Sequence, residues 1–300
     1  VSPGSSARLV ENAPAKVNLT LRVLGRRGDG YHEIESLVAF AEFGDRLHFS
    51  PGRELTLAVD GPTAAKAGDT GSNLVLKAAR EITARHNGLA LGAFQLEKRI
   101  PVAAGLGGGS ADAAAALRLL ARANRLTPDD PQLFAAARAT GADVPVCLDP
   151  RPRIMRGVGE ILSTPLTLPA LQAVLVNPGV AVPTREVFAG WATGSSPSAP
   201  GEYAILGTPP TRETLLHFLL AQSNDLERPA IALAPVIANA LAALREEADC
   251  KLARMSGSGA TCFALYSSGA AAEKAAKALR GKFPQWWICP TVLGEQSRDG

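Results

Sequence analysis

The run Gly105-Leu-Gly-Gly-Gly-Ser110 passes straight into Ala111-Asp-Ala-Ala-Ala-Ala-Leu117, and few folds accommodate such a junction. Four glycines in five positions let the backbone turn with its N–H groups inward and no Cβ in the way. The alanine-rich stretch that follows predicts a helix from about Ala111 to Asn124, with side chains small enough for close packing. Ahead of the turn, Ala93–Ile100 alternates apolar and polar residues as a strand does. Strand, glycine turn and helix start, in that order, suit a bound phosphate, because free N–H groups and the helix dipole converge there. A tight turn that only lets the helix pack closely fits the residues as well.

Two familiar phosphate loops are excluded by spacing. Counting six positions from Gly105 or Gly107 gives Ser110 or Asp112 instead of the third glycine of a dinucleotide fingerprint, and the short βαβ context is missing. No lysine stands between Gly109 and Ser110, as a Walker loop needs. Lysine chemistry must come from elsewhere, and Lys16 and Lys98, both on predicted strands, are the first candidates.

Length and composition narrow the class. A chain of 300 residues suits two domains, and the glycines and prolines around 150–160 predict a division into 1–155 and 156–300. The net charge of +3 is spread without a basic run, which argues for small anions and against a nucleic-acid groove. Cys147, Cys250, Cys262 and Cys289 have no Cys-x-x-Cys spacing and no nearby histidines, so buried thiols in a reducing cytoplasm are expected, with no metal site. No apolar run reaches the ~18 residues of a membrane span, and no leader pattern is evident, so a cytoplasmic protein is expected.

Elsewhere the pattern predicts a half-buried strand from Ala15 to Val23. Val17, Leu19, Leu21 and Val23 form its inner face, with Lys16, Asn18, Thr20 and Arg22 on the solvent side. Further strands are expected at 34–40, 46–49, 144–148, 173–177, 251–255, 261–266 and 287–292. Helices are expected from Asn73 to the Asn87-Gly88 stop, from Pro131 to Gly141, and over 211–221, 230–248 and 270–280. Strands and helices mix without a regular strand–helix repeat, so two α+β domains are expected in place of a doubly wound sheet.

Three segments in order carry a resemblance. Ala13-Pro-Ala-Lys-Val-Asn-Leu19, Pro101-Val-Ala-Ala-Gly-Leu-Gly-Gly-Gly-Ser-Ala111 and Met255-Ser-Gly-Ser-Gly-Ala-Thr261 resemble the N-terminal, phosphate-binding and C-terminal motifs of the GHMP kinases. Gly28-Asp-Gly-Tyr-His-Glu33, Gly141-Ala-Asp-Val-Pro-Val146, Gly157-Val-Gly-Glu-Ile161 and Ser223-Asn-Asp225 narrow this to the branch serving the non-mevalonate isoprenoid route. The resemblance implies an α+β fold with a ribosomal-S5-like N-terminal domain, a ferredoxin-like C-terminal domain and an active site in the cleft between them. It further implies ATP as co-substrate with Mg²⁺, and a small-molecule acceptor, a cytidine diphosphate-linked methylerythritol phosphorylated on its 2-hydroxyl. No nucleic-acid or membrane partner is implied, and either a monomer or a homodimer is compatible.

By the same resemblance, Asp143 is the catalytic base and Lys16 stabilises charge beside it. On residues alone, a turn aspartate satisfied by nearby N–H groups is the better reading of Asp143. Nucleotide contacts are implied at Asn73, Lys98, Pro101, Ala104, Gly105, Leu106, Gly107, Gly108, Gly109 and Ser110. Asn73 also suits a helix cap, Lys98 a strand-end lysine, and Ser110 either a cap or a phosphate or metal contact. Substrate contacts are implied at Asn18, Tyr31, His32, Thr184, Phe188, Gly257 and Ser258, with Tyr31 and Phe188 on the two faces of the pyrimidine. A different GHMP kinase and a non-catalytic binding module on the same scaffold are the rival readings.

Overall fold

Alternation and capping largely explain where the elements fall in the computed structural model, which describes residues 8–194, 197–199, 201, 203 and 208–294. The strands are β1 (Leu9–Asn18), β2 (Arg22–Arg26), β3 (His32–Gly52), β4 (Thr56–Asp60), β5 (Leu91–Glu97), β6 (Arg153–Gly157), β7 (Ile161–Leu162), β8 (Leu171–Asn177), β9 (Cys250–Met255), β10 (Cys262–Tyr266) and β11 (Trp287–Gly294). The helices are α1 (Leu74–Thr83), α2 (Gly108–Ala123), α3 (Pro131–Thr140), α4 (Val144–Leu148), α5 (Thr184–Gly194), α6 (Arg212–Leu220), α7 (Glu227–Leu233), α8 (Val236–Glu246) and α9 (Gly269–Lys282). Side-chain caps start four of them: Asn73 on α1, Asp130 on α3, Thr211 on α6 and Ser268 on α9.

The chain forms two compact units. One comprises residues 1–15, 44–102 and 107–149; the other comprises 16–43, 103–106 and 150–300. In the first, β5 pairs parallel with β4 and antiparallel with the second half of β3. Phe49 and Phe94 meet across that pair at 4.7 Å and are buried with Leu47, Leu96 and Ile100. Helix α2 packs against α1 and α4, and Ala113 to Ala116 are wholly buried. Alanine is what lets neighbours approach this helix on every side. Arg118 reaches from α2 to the Cys147 carbonyl at 2.8 Å, which clamps α4.

In the second unit β8 lies between β11 and β10, and β9 follows β10, all antiparallel. The first half of β3 pairs with β2, β6 and β11. Helices α8 and α9 pack on this sheet over a core that includes Phe263, Leu265, Leu244 and Leu279.

Several expectations need correction. The strand expected over Ala15–Val23 breaks after Asn18, because Leu19 and Thr20 both donate to the Leu37 carbonyl and Leu21 turns away to bridge Asn224. Its supposed solvent face is buried at Lys16, Asn18 and Thr20. Residues 144–148 form a helix instead of a strand: Pro145 suits a first helical turn, and the apolar run is buried against α2. The two segments 34–40 and 46–49 are one long strand, β3. The helix expected over 230–248 is two, α7 and α8, parted at Pro235. Helix α1 stops at Thr83, short of Asn87-Gly88, and Gly281 lies inside α9. Helix α5 forms where local periodicity announces no helix. Residues 193–210 are rich in Ser, Pro and Gly, and much of that stretch lies outside the described residues.

Candidate active site

The glycine turn is built around backbone positions that other residues would strain. Gly105 has φ +74°, and a Cβ there would stand 2.5 Å from the Ser256 carbonyl oxygen. Gly107 is the N-cap of α2 in the left-handed conformation, φ +62°, and supplies no side-chain cap. Helix α2 therefore starts at Gly108, earlier than Ala111, and Ser110 sits inside its first turn. Ser110 is not the cap, which corrects one of its two expected uses. The first N–H groups of α2 have no partner within the helix and face whatever occupies the turn.

Lys98 lies under this helix start, in the same unit. Its ammonium donates to Asp45 Oδ2 at 2.5 Å and to Asp112 Oδ2 at 2.8 Å, and all three side chains are buried. A methyl group on Gly108 would come within 3.4 Å of Lys98 Nζ. Asp45 also accepts from the backbone N–H groups of Arg99 and Ile100, so it pins the end of β5. Burial pushes the Asp112 carboxyl up, opposed by Lys98, while the two carboxylates outweigh burial and raise the Lys98 ammonium. The second Asp112 oxygen, Oδ1, is buried with no hydrogen-bond partner. Lys98 is thus held by a buried carboxylate pair; a strand-end lysine reaching water is ruled out.

Asp143 follows the turn at Gly141 and occupies the N-cap position of α4, yet its carboxylate makes no capping hydrogen bond. The turn is firmly mounted: Lys77 Nζ donates to the Thr140 carbonyl at 2.8 Å, and Arg118 holds the far end of α4. Asn73 does cap α1, accepting from Val75 N–H at 2.9 Å.

In the other unit, Lys16 and Asn18 come together. Lys16 Nζ donates to Asn18 Oδ1 at 3.0 Å, and Lys16 N–H donates to the Leu106 carbonyl at 2.9 Å. Asn18 N–H donates to Ser256 Oγ at 3.0 Å, and that hydroxyl donates to the Gly105 carbonyl at 3.0 Å. Thr261 N–H adds a bond to the Ala104 carbonyl, so the 256–261 turn is stitched to 104–106. Thr184 and Ser258 share a hydrogen bond at 2.8 Å. Asn224 supports the turn by donating to the Met255 and Gly257 carbonyls, each at 2.8 Å.

The aromatic group is arranged differently from the expectation. Phe188 stacks on His32, centroids 4.7 Å apart, and Trp191 meets His32 edge-on. Tyr31 is outside that stack and 63% exposed. His32 Nε2 is buried with no hydrogen-bond partner. Burial, then the Arg26 charge, pulls the His32 pKa below its ordinary value, so the ring is neutral near pH 7. Sequence reasoning missed Asp45, Ser36, Asn224 and Trp191. Only Asn224 had a signal, as part of Ser223-Asn-Asp225.

Comparison with known proteins agrees with this architecture. Residues 73–149 match the family model of the GHMP kinases N terminal domain, and residues 212–285 match that of the GHMP kinases C terminal domain. A 4-diphosphocytidyl-2-C-methyl-D-erythritol kinase of Methylorubrum extorquens is 57% identical over 95% of this chain and 99% of its own. A crystal structure of 4-(cytidine 5'-diphospho)-2C-methyl-D-erythritol kinase superposes with TM-score 0.75 at 36% identity, covering 96% of this chain and 100% of the other. Homoserine kinase from Cytophaga hutchinsonii shares the fold at TM-score 0.71 and 17% identity, over 99% of this chain and 98% of its own.

The chain belongs to the GHMP kinases and, within them, to the family of 4-diphosphocytidyl-2-C-methyl-D-erythritol kinases. It is an ATP-dependent small-molecule kinase with a two-domain α+β fold. Among the described residues, no helix is long and apolar enough to cross a membrane.

The buried Asp45–Lys98–Asp112 group generates a stability prediction. Lys98→Met leaves two buried carboxylates without their cation and is expected to destabilise the fold by about 3–5 kcal/mol. Urea unfolding measures it; a change under about 1 kcal/mol contradicts the assignment.

Proposed function

We propose that the protein transfers the γ-phosphoryl group of ATP to the 2-hydroxyl of 4-diphosphocytidyl-2-C-methyl-D-erythritol, as a cytoplasmic step of the non-mevalonate isoprenoid route. Similarity to kinases of that name over nearly the whole chain supports the substrate, and four free cysteines suit a reducing compartment. The family-domain boundary belongs at 155–156, within the interval 150–211 that separates the two matched segments.

One observation carries the mechanism: Asp143 stands at the N-cap position of α4, on a turn held by Lys77 at one end and Arg118 at the other. An acceptor hydroxyl must lose its proton as it attacks, and a fixed carboxylate takes it. Asp143 is therefore the general base. Lys16, held by Asn18, stabilises negative charge on the attacking oxygen and the moving phosphoryl group. The triphosphate follows Pro101 and Ala104–Ser110, where the glycine turn and the first N–H groups of α2 bind oxygens. Asn73 borders the adenine, and Lys98, held by its carboxylate pair, fixes the start of α2 beneath the nucleotide.

Mg²⁺ bound with the nucleotide would offset phosphate charge, and the Ser110 hydroxyl in the first turn of α2 would be a protein contact for it.

On the acceptor side, the cytosine docks at Tyr31, His32 and Phe188. Exposed Tyr31 offers a stacking face, and neutral His32 offers its ring nitrogens to the base edge. Phe188 supports the imidazole from behind in the present arrangement, and covering the second face of the pyrimidine requires it to leave that stack. Asn18, Thr184, Gly257 and Ser258 line the remainder of the acceptor.

Asp143→Asn is expected to lower kcat by about 10²–10⁴ while ATP affinity changes little. Steady-state kinetics and nucleotide titration check this; near-normal kcat removes Asp143 as the base. Tyr31→Ala is expected to raise KM for the cytidylyl substrate about tenfold or more and leave KM for ATP in place, since base stacking contributes ~1–3 kcal/mol. An unchanged acceptor KM places the cytosine elsewhere.

A further inference from the structure

Lys16 Nζ is a hydrogen-bond donor only, and this fixes the direction of every bond behind it. The atom of Asn18 facing the ammonium must be the carbonyl oxygen Oδ1, at 3.0 Å. Asn18 Nδ2 then points the other way, and it donates to Ser36 Oγ at 2.7 Å. The Ser36 hydroxyl, accepting there, donates its own proton onward, to the Thr20 carbonyl at 2.5 Å. Thr20 is itself held, its Oγ1 accepting from Leu37 N–H at 3.0 Å and lying 3.1 Å from the Tyr203 hydroxyl. Ser36 and Thr20 are wholly buried and Asn18 nearly so.

We propose that Ser36 is a positioning residue for the phosphoryl-transfer step: by accepting from Asn18 Nδ2 it locks the amide with Oδ1 toward Lys16 and so holds the ammonium in place. The inference rests on the reading that Lys16 acts in that step. Without the serine hydroxyl, only the ammonium tells the two ends of the amide apart, and Nδ2 is left buried without this acceptor. An amide that swings to satisfy Nδ2 elsewhere carries Oδ1 off the ammonium and releases it. The backbone of Asn18 stays pinned by Ser256, while the Thr20 carbonyl loses the serine donor. A serine that only satisfied buried polar groups affects stability and leaves kcat alone, which separates the two roles.

The test is a two-background comparison of kcat with radiolabelled ATP and saturating acceptor, using Ser36→Ala alone, Lys16→Met alone and the two together. Ser36→Ala is expected to lower kcat about tenfold in the parent and less than about twofold beside Lys16→Met, with KM for ATP unchanged. A parent kcat within about twofold of normal overturns the inference, as does an equal loss in both backgrounds. Near-normal kcat in Lys16→Met alone overturns the Lys16 reading and takes this inference with it, so the two failures are told apart. Should the alanine variant not fold, Ser36→Cys, close in volume and a weaker hydrogen-bonding partner, serves in the same comparison with the same two contrary outcomes.

Discussion

A buried cation must be met by acceptors, and each compact unit encloses such a cation near the glycine turn. In one, Lys98 is enclosed by Asp45 and Asp112, whose own positions fix the end of β5 and the start of α2. In the other, Lys16 is met by Asn18, and the need to satisfy Asn18 in turn recruits Ser36, Thr20 and Ser256. Leaving any of these groups unmatched in the interior costs about 1–3 kcal/mol, more where a charge is involved. The fold around the glycine turn is arranged to prevent that.

This arrangement suits phosphoryl transfer. The protein has little covalent chemistry to perform, and the rate depends on charges and dipoles that are already oriented when the phosphoryl group moves. A lysine on a flexible stem in water must be ordered during the reaction. One held by a directional amide is ordered beforehand. The same economy applies to the glycine turn: Gly105 and Gly107 adopt positive φ, so main-chain N–H groups are oriented without side chains intervening.

Much of this was legible in the residues. The turn at Gly105–Ser110, the alanine helix behind it, and the caps at Asn73 and Asp130 follow from local rules of backbone freedom and capping. Three ordered motifs sufficed for the family. What local rules could not show was burial of both faces of a strand. Lys16, Asn18 and Thr20 alternate like a solvated face, and only the long-range bonds to Ser36, Tyr203 and Ser256 make that face an interior one. Asp45 was invisible for the same reason: it is 53 residues from the lysine it holds. Residues 144–148 misled because a fully apolar run reads equally as a buried strand or a buried helix, and its packing against α2 decides. The stack of Phe188 on His32 depends on α5, whose existence local periodicity did not announce.

The central claim is that this kinase phosphorylates the 2-hydroxyl of a cytidylyl-linked methylerythritol. Phosphorus NMR of the product made from ATP and 4-diphosphocytidyl-2-C-methyl-D-erythritol tests it most directly. The account predicts a new phosphomonoester on the 2-hydroxyl, formed in step with ADP. Phosphate on a different hydroxyl, ADP without a phosphorylated product, or no ADP at all contradicts it.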